Sequence, residues 1–260
     1  MDYKTIEVQK KKKVATIFLN RPDVHNAMNE KLMSELTLCF KELSKDEKTR
    51  IIILTGKGKS FCAGADLNWM KSMTKYSMKE NINDSEILLN LFEEIYSCPK
   101  PVIACVNGHT FGGGIGLFAA CDIVIAIQNC KFAFSEVKLG IIPAVISTYV
   151  VRRIGRSNIR RLFITGERFD SNYAKEIGLV DFVASEKEFN EIVKKYTDIL
   201  LSSGQNAIFE VKKLVDAYEK MHLDKYKEHT VKKISELRVS DEGQEGIKAF
   251  LEKRKSKWSD

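Results

Sequence analysis

Two glycine-centred segments, SFCAGADLNWM (Ser60 to Met70) and NGHTFGGGIGL (Asn107 to Leu117), each follow a buried apolar run and lead into a helical one. A turn of that kind leaves backbone N–H groups unpaired. Glycine serves where another group must approach the main chain closely, and a helix N-terminus favours negative charge. Two such turns could together cup an oxyanion between the amides of Ala65 and Gly113, or the glycines could serve only to make tight turns. Further along, Glu136 lies in FAFSEVKLGIIP among Phe134, Val137, Leu139 and Ile141. A carboxylate in apolar company either finds a partner or has its pKa raised, which suits a general acid or base; the alternative is a solvent-facing residue of an alternating strand or loop. Asp66 suits the cap of the helix after Gly64, and Asp122 a helix-to-strand corner. His109, with no Ser or Cys partner at a recognisable spacing, reads as polar lining or as structure.

Several other chemistries find no support. Gly58-Lys59-Ser60 resembles the end of a Walker A loop, but Ile53 stands where its first glycine belongs, and the triple glycine at 112–114 is not GxGxxG. Cysteines 39, 62, 98, 105, 121 and 130 form no CxxC pair and match no histidine spacing, so reduced buried thiols are expected and a zinc site or disulfide framework is not. The net charge of +7 suits an anionic partner, yet the lysines are scattered and no aromatic-interleaved basic stripe for RNA appears. No stretch approaches the ~18 apolar residues of a membrane span, and the opening MDYKTIEVQKKKKV lacks the apolar centre of a secretory signal, so a cytoplasmic protein is expected.

A chain of 260 residues can hold one large α/β domain with an appendage. Alternation predicts strands over Tyr3–Val8 and Val14–Asn20, joined by the lysine run 10–13. Met28, Leu32, Leu36, Phe40 and Leu43 recur at helical spacing, and Arg50–Thr55 reads as a buried strand. The cycle repeats with a helix over 77–97, a strand over 101–106, a helix over 113–120 and a strand over 122–126, which implies a core sheet covered by helices. From Ser157 helical periodicity dominates, with only Leu179–Val183 extended, and a helical C-terminal region is placed from about residue 190.

These segments, taken with NRPDVHNAMN, CDIVIA, ITGERFDSNYAKEIGLVD and AFLEKRKSKW, make the sequence similar nearly end to end to the crotonase superfamily, the enoyl-CoA hydratase/isomerase family. The resemblance implies an α/β fold, a spiral of ββα units over residues 1–189, with a helical trimerisation region over 190–260, assembly as a trimer or dimer of trimers, and no metal or redox cofactor. It implies further that the amides of Ala65 and Gly113 hold the thioester oxygen of an acyl-CoA and that Glu136 is the acid/base group. Ala65, Asp66, Leu67 and Asn68 would line the coenzyme A site, Arg21 would lie near its nucleotide end, and Phe250 and Lys253 would reach coenzyme A in a neighbouring subunit.

The chain departs from the two-glutamate hydratases at Gly116, where they carry their first glutamate, and in Pro143-Ala144-Val145-Ile146-Ser147, where a glycine-rich run is usual. Both departures, with ADLNWM, FGGGIGL and SEVKLGIIPAVIS, resemble bacterial methylglutaconyl-CoA hydratases. The expected function is hydration of an α,β-unsaturated acyl-CoA, branched or carboxylated. The rivals are a Δ3-Δ2-enoyl-CoA isomerase and a noncatalytic or RNA-binding protein on the same scaffold.

Overall fold

The computed structural model describes residues 3–259. Strands β1 (Ile6–Lys11) and β2 (Val14–Leu19) pair antiparallel from Ile6 opposite Leu19 to Lys11 opposite Val14. Alternation buries Ala15, Ile17 and Leu19 on one face of β2. The first strand starts three residues later than the pattern predicts, because the amides of Lys4 and Thr5 donate to the Glu35 carboxylate instead of to a neighbouring strand.

Helix α1 (Glu30–Lys45) begins at Asn29, whose side chain accepts from the Leu32 amide, and it buries Leu32, Leu36, Phe40 and Leu43 as its spacing requires. Strand β3 (Ile51–Gly56) lies parallel to β2. Then follow β4 (Ser60–Cys62), α2 (Leu67–Met73) and α3 (Met78–Tyr96), the last opened by a capping box between Ser77 and Glu80. The wholly buried β5 (Val102–Val106) leads to β6 (His109–Phe111) and α4 (Gly113–Ala119). Next come β7 (Ile123–Ile127), β8 (Lys131–Ala133) and α5 (Ala144–Thr165), which is kinked at Gly155. Strand β9 (Phe169–Asp170), α6 (Ser171–Glu176) and β10 (Phe182–Ala184) complete the layered part.

The strands sort into a six-stranded sheet, β1-β2-β3-β5-β7-β10, and a four-stranded one, β4-β6-β8-β9. Every long strand β3, β5 and β7 is followed directly by a short strand of the second sheet, and then by helix. The chain therefore advances one strand along both sheets per turn, which is a spiral of ββα units. Aromatic side chains fill the core, with Phe61, Phe118 and Phe132 stacked edge to face at centroid distances of 6.1 and 5.7 Å. All the cysteines are buried free thiols.

Two compact units divide the chain: one comprises the residues up to Cys98 and Val102–Lys194, the other Pro99–Pro101 and the chain from Lys195. The second unit holds the end of α7 (Glu186–Leu201) and the helices α8 (Gln205–Lys220), α9 (Leu223–Val239) and α10 (Asp241–Leu251). Glu210, nearly buried on α8, joins Lys213 of its own helix to Lys233 of α9. Ile234, Ile247, Phe250 and Leu251 stay exposed in the single chain. No helix among the described residues is long and apolar enough to cross a membrane.

Candidate active site

The segment after β4 is a tightly held turn. Gly64 takes φ of 93°, and Met28 bridges the turn as a strand would: its N–H donates to Gly64 O at 2.7 Å, and its O accepts from Asp66 N–H at 2.8 Å. That pattern uses the peptide groups on either side of Ala65 and leaves the Ala65 N–H facing the other way, with no acceptor among the described residues. Asp66 then caps α2, accepting from the amides of Asn68 and Trp69 at 2.8 and 3.3 Å. Its other oxygen takes Arg21 Nη2 at 2.8 Å, while Arg21 Nη1 donates to Ala27 O. Burial alone would raise the Asp66 carboxyl, but these donors outweigh it and hold the group below its ordinary value.

The second turn follows β6. Gly112, with φ of 48° and ψ of −126°, precedes α4, so Gly113 is the first helical residue and its N–H has no partner within the helix. The two turns meet backbone to backbone: a methyl group on Gly64 would lie 3.0 Å from Phe111 O and 4.0 Å from Gly112 N. Ala65 and Gly113 are both half-exposed, so each free amide can be reached.

Glu136 completes the constellation. It sits in a 3₁₀ turn over Ser135–Leu139, which is neither the alternating strand nor the loop that its sequence allowed. A methyl group on Gly112 would lie 3.0 Å from Glu136 Oε1, so the carboxylate rests against the glycine turn where a Cβ is missing. Its other oxygen, Oε2, is buried with no hydrogen-bond partner. Burial raises its pKa above the ordinary carboxylate value, as expected of a group that must exchange a proton. A carboxylate with one unpaired oxygen, resting against the turn that ends at the free Gly113 amide, can move a proton near a carbonyl oxygen whose negative charge the amides accept.

Position 116 shows why a second carboxylate has no place here. A Cβ on Gly116 would lie 2.6 Å from both Ile146 Cγ2 of α5 and Phe92 Cζ of α3. The departure from the two-glutamate pattern is thus filled by packed apolar side chains. Ile146 belongs to the segment that departs from the usual glycine-rich run; Phe92 carries no such signal, because nothing local ties it to a glycine on another helix.

Arg21, Asp66 and Asn68 share one surface cleft with Asn29, Lys31 and Trp69, and Leu67 stands out with 81% of its surface exposed. Phe250, also 81% exposed, and Lys253 lie in the C-terminal unit. Two polar side chains have partners of their own. The Tyr149 hydroxyl donates to Glu93 Oε2 at 3.0 Å, and His109 Nδ1 accepts from the Lys131 amide at 3.0 Å. Asp122 caps a corner as expected, accepting from the Val102 amide at 2.7 Å.

Comparison with known proteins agrees with this geometry. The Enoyl-CoA hydratase/isomerase family matches residues 9–260. A crotonyl-CoA hydratase from Syntrophomonas wolfei is 33% identical over 98% of this chain and 98% of its own. A short-chain-enoyl-CoA hydratase from Clostridium acetobutylicum is 31% identical over 98% of this chain and 97% of its own. The crystal structure of an enoyl-CoA hydratase from Shewanella pealeana superposes with a TM-score of 0.95 at 37% identity, covering 98% of this chain and 96% of that one. With the spiral of two sheets, the paired amide turns and a match spanning nearly its whole length, the chain belongs to the enoyl-CoA hydratase/isomerase family.

Proposed function

We propose that this protein is an enoyl-CoA hydratase that adds water reversibly to an α,β-unsaturated acyl-CoA with Glu136 as its single acid/base group. The observation that carries the reading is the buried, unpartnered Glu136 Oε2 beside the glycine turn whose Gly113 amide is free. The Glu136 carboxylate takes a proton from water as the oxygen bonds to the β carbon. The electron pair of the double bond moves to the thioester oxygen, and the amides of Ala65 and Gly113 hold it as an enolate. Protonated Glu136 then returns the proton to the α carbon, restoring the thioester. The Ala65 to Asn68 segment holds coenzyme A, with Arg21 toward its nucleotide end and Phe250 and Lys253 contributed by a neighbouring subunit of a trimer. The acyl group is branched or carboxylated, as in 3-methylglutaconyl-CoA; the support is the likeness of ADLNWM, FGGGIGL and SEVKLGIIPAVIS. No metal or nicotinamide is needed, and the protein works in the cytoplasm.

One observation favours a second reading, a Δ3-Δ2-enoyl-CoA isomerase: with position 116 filled by Phe92 and Ile146, a single carboxylate can carry a proton from one carbon to another without activating water. Coupled assays with crotonyl-CoA, 3-methylglutaconyl-CoA and a 3-enoyl-CoA separate the two. Turnover of the 3-enoyl-CoA alone would replace hydration by isomerisation, and turnover of none would remove both. Light scattering at micromolar concentration tests the assembly, where a monomer would contradict the trimer.

A further inference from the structure

We propose that Met28 is a positioning residue that fixes the separation of the two oxyanion-holding amides, an inference that rests on the hydratase reading above. Met28 touches both turns, one with its main chain and the other with the end of its side chain. Its main chain brackets Ala65 through the bonds to Gly64 O and from Asp66 N–H. Its side chain runs to the other turn, where a Cβ on Gly113 would overlap Met28 Cε. Only 1% of Met28 is exposed, so the thioether is held by packing. Arg21, through its bond to Ala27 O, and Asn26, through bonds to Lys57 O and Ser60 O at 2.9 Å, tie down the residues just before it.

Two amides stabilise one oxyanion only if both point at the same place, and a displacement of about 1 Å is enough to lose much of the effect. In this chain the backbone of residue 28 sets the position of one amide and the reach of its unbranched side chain sets how near the other can come. Methionine suits the task because it extends to Cε without a branch that would strike the glycine turn. A helical stripe read from the sequence gives Met28 no such duty, since it is in phase with Leu32 and Leu36.

The test is the infrared carbonyl stretch of butyryl-CoA labelled with ¹³C at the thioester carbon, free and bound. In the wild type, binding should move the band to lower frequency. If it does not move, the oxyanion reading itself fails and this proposal falls with it. Given that shift, Met28→Ala is expected to lose most of it and to lower kcat on the best enoyl-CoA roughly ten- to a hundredfold with KM changed less than about threefold. Leu43→Ala is the control: Leu43 is buried near the far end of α1, the helix that starts two residues after Met28, roughly 20 Å from the start of that helix at 1.5 Å per residue, and should keep both the shift and kcat. Met28→Leu, which preserves apolar bulk but has no atom at the Cε position, guards against misfolding of the alanine variant and should show a partial loss. A full shift and full kcat in either Met28 variant would overturn the proposal. So would an equal loss in Leu43→Ala, because general loosening of the core would then account for the effect.

Discussion

The two turns that offer their amides are held by opposite means. Around Ala65 the restraint is polar: the Asp66 cap, the Arg21 ion pair and the bridge to Met28 use directed bonds of known partners. Around Gly113 it is steric: three successive glycines lie against Glu136, Met28 and Cys62 with no space for a Cβ. A polar clamp can lose one bond and keep its shape through the others, whereas a close-packed turn has no slack. Substitutions on the glycine side should therefore be more damaging than substitutions on the Asp66 side.

The largest effect is expected from Glu136→Gln, which keeps the shape against Gly112 but cannot exchange a proton at neutral pH. Turnover should fall about 1,000- to 10,000-fold with little change in acyl-CoA affinity, measured by steady-state kinetics and calorimetric titration. Retention of more than about a tenth of wild-type turnover would show that some other group is the principal acid/base. Next comes Gly112→Ala, which places a methyl group 3.0 Å from Glu136 Oε1 at a φ of 48° that side chains rarely adopt. A loss of roughly 100- to 1,000-fold in kcat is expected, and near-normal rates would show that the glycine turn is looser than its packing implies.

Gly116→Glu sharpens the same side. The added side chain meets Phe92 and Ile146, so crotonyl-CoA hydration should not rise, and thermal unfolding should show a loss of about 1–3 kcal/mol. A large gain in hydration would show that the pocket yields. Asp66→Ala tests the polar side, where loss of the cap is worth about 1 kcal/mol and kcat should fall only about tenfold, since Met28 still brackets Ala65. A loss as large as that of Gly112→Ala would erase the contrast.

The smallest effect is one of stability against pH. Burial raises the Glu136 pKa in the folded chain above its unfolded value, so the native state binds the proton more tightly. Its stabilising contribution is complete below the unfolded pKa of about 4.3 and is lost as pH rises through the folded pKa. Glu136→Gln should therefore melt higher than the wild type at pH 8, with the advantage shrinking toward pH 4. An advantage that did not depend on pH would contradict the burial argument.

The turns at Gly64 and Gly112 and the apolar setting of Glu136 were legible in the sequence, because residue type alone signals both a missing Cβ and a carboxylate without local partners. The Asp66 cap was legible for the same reason. The second sheet was not, since β4, β6 and β8 have three residues each and show no period. The first half of α5, which starts directly after Pro143, was not, since helical periodicity was read only from Ser157. Phe92 lies on the buried face of α3, and Met28, in phase with the stripe of α1 in the sequence, stands ahead of that helix in the bridge to Ala65; only tertiary contact reveals what they touch.

The cysteines carry a last consequence. Cys39 on α1, Cys105 on β5 of the long sheet, and Cys62 on β4 with Cys130 just before β8 at the short sheet are each buried, with thiols that burial pushes up to about 12. A thiol in that state is almost never a thiolate at neutral pH, and an alkylating reagent meets it only when its surroundings open. The fold thus carries its own set of internal probes: the order in which these sulfurs react with iodoacetamide would record which layer of the spiral opens first.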